Sequence, residues 1–233
     1  MQELSNGMLV TSNYKNISLY DKNLQPFKTL DNIENITFYC NDLLVNKISN
    51  YIYFGDGQNH RIIILDSELN HVKSYKNESL KPCGIDYYNQ QVYVCNAANS
   101  TKSIYRFNLE LDCEHTFQIG CKPFQIKIID KVTMIRPIQL SQNNSVYFYD
   151  TDTFNLIRKY DDHKGTLSVI GHTFYEYFEE KLFCYDINGS LIDELKIKIN
   201  EMQSHIFNGA FVFYNNNLIL SSYKSSKLFF IEA

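Results

Sequence analysis

The chain has 233 residues, a net charge of −4 and no tryptophan, with 44% hydrophobic against 21% charged residues. That balance excludes disorder as a description of the whole chain, and the acidic total weighs against a general polyanion binder, which carries a basic excess. No run reaches the roughly 18 apolar residues of a membrane span, and residues 1–12 lack the basic and apolar regions of a leader, so the expectation is a soluble, cytoplasmic protein.

An apolar or aromatic run ending in an acidic or amide residue recurs six times, at 17–21, 62–66, 104–108, 146–150, 182–186 and 228–232. The final residues, Asp21, Asp66, Asn108, Asp150, Asp186 and Glu232, lie 45, 42, 42, 36 and 46 positions apart. A supersecondary unit of about 40 residues repeated round a propeller has this interval. Between successive runs lie short apolar segments and polar turns without helical periodicity, as in 84–88, 91–95, 104–107 and 115–119, which is the pattern of a four-stranded antiparallel meander. The expected fold is all-β: a six-bladed β-propeller of four-stranded antiparallel blades in one domain over 1–233. The blades fall at about 1–35, 36–78, 79–121, 122–163, 164–201 and 202–233. Residues 2–6 are a spare segment that either starts the first blade or completes the last.

The anchor residues have a structural reading. An Asx side chain accepts from backbone amides just ahead of it and so fixes a turn, which assigns Asp21, Asp66, Asn108, Asp150 and Asp186 to the hairpin between third and fourth strands. Cys40, Cys83, Cys95, Cys113, Cys121 and Cys184 are scattered without a Cys-x-x-Cys pair and read as free thiols, mostly buried.

The second interval contains Tyr51-Ile52-Tyr53-Phe54-Gly55-Asp56-Gly57-Gln58-Asn59-His60-Arg61-Ile62-Ile63-Ile64-Leu65-Asp66. It resembles the NHL repeat, in which a short apolar strand ending in Asp is followed by an Asn-His-Arg turn and an apolar strand ending in Asp. Pro82-Cys83-Gly84-Ile85-Asp86 is similar to the opening of that family's innermost strand, and Lys122-Pro123-Phe124-Gln125-Ile126 echoes it. The Asn-His-Arg turn does not recur in the other blades, and the lack of tryptophan sets the chain apart from Trp-Asp repeat propellers. The resemblance implies a six-bladed propeller like those of tripartite-motif NHL proteins, which engage proteins or single-stranded RNA with one loop face. It carries no ubiquitin-ligase activity over, since no ligase module stands in this sequence.

Catalytic patterns are weak. A channel-centred hydrolase needs a ring of oxygen ligands for a divalent cation, and the inner strands offer only Glu3, Asp86 and Asp130. Cys113-x-His115 with Cys121 lacks a fourth ligand at zinc-site spacing. Asp150-Thr151-Asp152 lacks the glycine and distal glutamate of a calcium loop. No catalytic residue, metal or cofactor is assigned. Loop charge is more informative, because the turns between second and third strands, together with the inter-blade links, carry a basic excess while the opposite turns are acidic. Such asymmetry orients an acidic partner. The expected partner-binding set is Tyr14, Lys15, Asn59, His60, Arg61, Lys102, Arg136, Tyr223 and Lys224, engaging a protein or peptide. Single-stranded RNA on the same face is the alternative, and a metal-dependent hydrolase is the less favoured one.

Overall fold

Runs such as 91–96 and 103–108 alternate side chains between two faces and are rich in β-branched and aromatic residues, which suit a pleated, half-buried surface. The computed structural model describes residues 2–98, 102–138, 145–161, 166–178, 181–196, 211–214, 217–221 and 228–232. Every regular element among them is a strand, and none is a helix.

Five four-stranded antiparallel sheets follow one another along the chain, arranged as a β-propeller. The first comprises β1 (Gln2–Glu3), β2 (Leu9–Ser12), β3 (Ile17–Tyr20) and β4 (Pro26–Leu30). A small hairpin, β5 (Asn32–Ile33) and β6 (Ile36–Thr37), leads to the second sheet. That sheet holds β7 (Cys40–Asn46), β8 (Tyr51–Asp56), β9 (Arg61–Leu65) and β10 (His71–Lys76). The third holds β11 (Pro82–Tyr88), β12 (Gln91–Asn96), β13 (Ser103–Asn108) and β14 (Cys113–Gln118). The fourth holds β15 (Pro123–Ile129), β16 (Val132–Pro137), β17 (Ser145–Asp150) and β18 (Leu156–Asp161). The fifth holds β19 (Thr166–Ile170), β20 (Thr173–Phe178), β21 (Lys181–Tyr185) and β22 (Leu191–Lys196). Finally, β23 (Phe211–Tyr214), β24 (Asn217–Ser221) and β25 (Leu228–Glu232) make a three-stranded sheet. Two compact units divide the chain, Met1–Phe124 and Gln125–Ala233.

The six anchor runs form the third strand of each sheet: β3, β9, β13, β17, β21 and β25. The expected count of six four-stranded blades is corrected to five among the described residues, because the last interval contributes three strands there. Gln2 pairs with Val10 and Glu3 with Leu9, so the spare segment begins the first blade.

One turn recurs after each anchor of the four-stranded blades. The Oδ1 atoms of Asp21, Asp66, Asn108 and Asp186 each accept from the N–H groups two and four residues ahead at 2.7–3.0 Å. Asp150 instead accepts from the N–H and hydroxyl of Thr153. The turn then passes through a left-handed residue: Leu24, Leu69, Leu111, Phe154 or Gly189. Leu69, Leu111 and Phe154 are buried, so apolar contact offsets the cost of about 1–2 kcal/mol that this conformation carries for a residue with a Cβ.

Each unit has its own core. In the first, Phe38 packs against Phe54 with centroids 5.1 Å apart in a cluster with Ile17, Leu19, Ile52 and Ile63. In the second, Phe148 meets Phe174 edge to face at 5.6 Å and Tyr185 at 5.4 Å. Each fully buried ring of this size contributes about 1.5–3 kcal/mol.

Candidate functional site

The turn joining β8 to β9 shows what the Asn-His-Arg residues do. Asp56 ends β8 with no solvent exposure, and a buried carboxylate needs partners for its oxygens. Its Oδ1 accepts from the Tyr39 N–H at 3.1 Å. Its Oδ2 accepts from Asn59 Nδ2 at 2.8 Å and Arg61 Nε at 2.9 Å. Asn59 Nδ2 also donates to the Thr37 carbonyl at 2.9 Å. His60 takes a left-handed φ of 56° and holds Nδ1 at 2.8 Å from the Leu80 carbonyl; a carbonyl only accepts, so that nitrogen carries the proton.

Arg61 is therefore not a free cation of the loop face. Its side chain is 5% exposed, bound to Asp56 and lying 3.5 Å from Glu34 Oε2. Its Nη2 is buried without a hydrogen-bond partner, a cost that the charge-assisted bond to Asp56 offsets. Glu34 comes from the β5–β6 hairpin, whose two-residue turn, Glu34 and Asn35, has φ of 57° and 61°. Positive φ at both central residues matches strand twist in a tight hairpin. This hairpin was not foreseen; the Asp-Asn and Glu-Asn pairs around Ile33 are its only sequence signal.

Asn96 takes the place of Asp56 in the third blade. Its Oδ1 accepts from the Lys81 N–H at 2.8 Å and the Ala98 N–H at 3.1 Å, and its Nδ2 donates to the Ser79 carbonyl at 3.3 Å. In the second unit, Arg136 is likewise buried, with Nε donating to Gln125 Oε1 at 2.9 Å. The same oxygen accepts from the Leu167 N–H at 3.2 Å. Burial thus removes Arg61 and Arg136 from the charge offered to a partner, a correction to the loop charge expected from sequence.

At the second-to-third turns and inter-blade links of the first unit, Lys15, Lys81 and Lys102 keep exposed side chains. The backbone beneath them is pinned, with the Ala97 N–H on the Lys81 carbonyl at 2.9 Å and the Ile119 N–H on the Lys102 carbonyl at 2.8 Å. Next to Lys15, Tyr14 adopts φ of 78°, accepts from the Cys40 N–H at 2.8 Å and sets its ring edge to face with Tyr39 at 5.0 Å. Contacts of Tyr14 with Cys40, Asn59 with Thr37, His60 with Leu80 and Lys102 with Ile119 bring the second-to-third turns and the inter-blade links of this unit together. Tyr223 and Lys224 lie outside the described residues, as does most of the 136–144 stretch of the expected face.

Among the described residues no three His, Cys, Asp or Glu side chains converge as a cation site. Glu3 faces Lys47 at 3.7 Å, Asp86 accepts from the Tyr87 N–H at 2.9 Å, and Asp130 sits in a turn with φ of 48°. Two buried thiols of the first unit, Cys40 and Cys95, are held in the protonated, unreactive form. Burial pushes Cys40 up to about 12, and burial with the neighbouring Cys83 and Cys121 thiols holds Cys95 well above the ordinary range. Cys113 is exposed.

No family model matches the chain, and no curated protein matches it in sequence. Among solved structures it is similar to BBS1N, seen in a crystal structure of its complex with ARL6DN soaked with mercury. The TM-score is 0.63 at 16% identity, covering 97% of this chain and 75% of that one. At that identity the likeness establishes the fold, a β-propeller, and nothing finer.

Proposed function

We propose that the chain is a non-enzymatic, cytoplasmic interaction platform of the NHL type that binds an acidic protein segment at the loop end of its first unit. The observation that carries this reading is the set of exposed lysines, Lys15, Lys81 and Lys102, on loops whose backbone is fixed by the bonds around Asp56 and Asn96. A rigid frame reduces the ordering cost of binding, and exposed surface lysines raise the encounter rate of an acidic partner. The half-buried Tyr14–Tyr39 pair supplies an aromatic anchor beside Lys15, of the kind enriched where binding energy concentrates. That BBS1N, a chain of similar fold, is seen in complex with the protein ARL6DN supports a protein ligand over a nucleic acid.

The test is affinity capture with the native chain and with a Lys15→Glu, Lys81→Glu, Lys102→Glu variant, followed by binding measurements on each purified partner. The expected result is a loss of affinity of at least tenfold for the direct partner and a steep salt dependence. Unchanged affinity of every partner for the variant overturns the assignment of this face. Binding that disappears on nuclease treatment instead identifies RNA as the ligand.

A further inference from the structure

The outer strands carry a second repeat that the anchors do not reveal. In each of the five four-stranded blades the pairing of third with fourth strand slips by one residue near its start. The extra residue is Phe27, Val72, Glu114, Ile157 or Ile192. A bulge of this kind bends an edge strand and spoils its ladder for a further strand. Four of these five residues are apolar and point into solvent, at 67% for Phe27, 45% for Val72, 48% for Ile157 and 59% for Ile192. The residue after the bulge ties each blade to the turn of the next in three cases. Lys28 donates to the Glu68 carbonyl, Lys73 to the Glu110 carbonyl, and Arg158 to Ser190 Oγ at 2.7 Å.

Blades four and five, both in the second unit, depart from the others. Each outer strand opens with four consecutive exposed residues, Leu156-Ile157-Arg158-Lys159 in β18 and Leu191-Ile192-Asp193-Glu194 in β22. The apolar pair is identical, and the charged pair that follows is of opposite sign. The bulge falls at the same isoleucine in both. The two strands adjoin, since Leu191 N–H donates to the Tyr160 hydroxyl at 3.2 Å and Arg158 reaches Ser190. Leu156, Ile157, Leu191 and Ile192, with exposures of 55%, 48%, 44% and 59%, therefore lie on adjoining outer strands of the same unit. Contiguous exposed apolar patches rimmed by charge mark interaction sites. In the other outer strands the residue after the bulge is Lys28, Lys73 or His115, never acidic.

We propose that this region joins two copies of the chain, with β18 of each facing β22 of the other. A two-fold axis running between the two strands sets the basic pair Arg158 and Lys159 of each copy toward the acidic pair Asp193 and Glu194 of the other, with the apolar pairs packed beside them. Each contact is made twice, as self-complementary symmetric interfaces require. The bulges exclude continuation of the sheet through backbone bonds, so the copies meet through side chains. Within one copy Lys159 already pairs with Asp161 at 2.5 Å and Glu194 with Lys181 at 2.7 Å. Such exposed pairs contribute little and exchange readily for contacts across the two-fold. The apolar residues supply adhesion, and the opposite charges select which strand faces which.

Light scattering and sedimentation of the purified chain test this, with Arg158→Glu/Lys159→Glu and Asp193→Lys/Glu194→Lys as separate variants. These positions are exposed, and circular dichroism checks that folding is retained. The native chain is expected at twice the 27.4 kDa of one copy, shifting toward one copy as salt rises. Each variant alone is expected at the mass of one copy. An equimolar mixture of the two variants returns to twice that mass, because both faces of the mixed pair regain opposite charges. Ile192→Ser, which removes apolar contact without changing charge, is expected to weaken the association as well. A native chain that stays single at all concentrations, a charge variant that still pairs with itself, or a mixture that fails to pair overturns the proposal.

Discussion

At the scale of single residues, burial separates the charges that hold the protein together from those available to a partner. Arg61 and Lys102 stand on neighbouring loops of the same unit with opposite fates. Arg61→Ala leaves Asp56 buried without its cation and is expected to cost about 3–5 kcal/mol, whereas Lys102→Ala should change stability by about 0.5 kcal/mol or less; urea denaturation of both variants checks the contrast. Asp66 provides a pH-dependent counterpart. Burial raises its pKa, but the Asn70 backbone and side chain, the Glu68 N–H and the Lys28 charge together outweigh burial and hold the carboxyl below its ordinary 3.8. A carboxyl depressed on folding stabilises fully above its unfolded value and loses that contribution as pH falls through the folded one. Asp66→Asn should therefore be less stable than the native chain at neutral pH, with the gap closing below about pH 4 in urea midpoints measured across that range. That Asp66 forms a turn was legible from sequence, because its partners lie two and four residues away. Burial of Arg61 was not, because Glu34, which faces it, and Tyr39 and Thr37, which hold its neighbours Asp56 and Asn59, come from other segments.

At the scale of elements, the third strand and the turn after it form one unit whose rules are local. The left-handed residue of that turn is glycine only in the fifth blade, where φ at Gly189 is 72° and an added Cβ would lie 2.5 Å from the Phe148 ring. Leu69 and Leu111 tolerate the same backbone because their side chains find apolar space, but Gly189 has an aromatic ring where that space would be. Gly189→Ala combines backbone strain with overpacking and should destabilise by about 2–4 kcal/mol, read as a fall in thermal midpoint. Gly55 plays a related part within the first unit, where an added Cβ would lie 2.8 Å from Pro82 Cβ. The glycine inside β8 is thus explained by close approach of the next blade rather than by a turn. The anchor runs disclosed every third strand, but the outer strands gave a weaker pattern. Their bulges place an apolar residue in solvent in four of the five four-stranded blades, contrary to simple alternation, and only the pairing register reveals it.

At the scale of the molecule, the propeller surrounds its cysteines with strands, which governs their chemistry. Thiolates are the reactive form, and burial raises Cys40 to about 12 and Cys95 well above its ordinary value. Brief alkylation of the native chain near neutral pH should label Cys113 first, while denaturation opens all six cysteines to the reagent; mass spectrometry of digests distinguishes the two patterns. The sequence by itself determined the repeat, the all-β class, the blade order and the Asx turns. These follow from side-chain alternation and hydrogen bonds spanning four residues or fewer, which are written along the chain. Only the tertiary structure decided that Arg61 and Arg136 are interior groups, that Lys15, Lys81 and Lys102 are not, and that the outer strands carrying the basic pair 158–159 and the acidic pair 193–194 adjoin. Those outcomes depend on which distant segments cover a side chain, and a sequence records the charge of a residue without recording its cover.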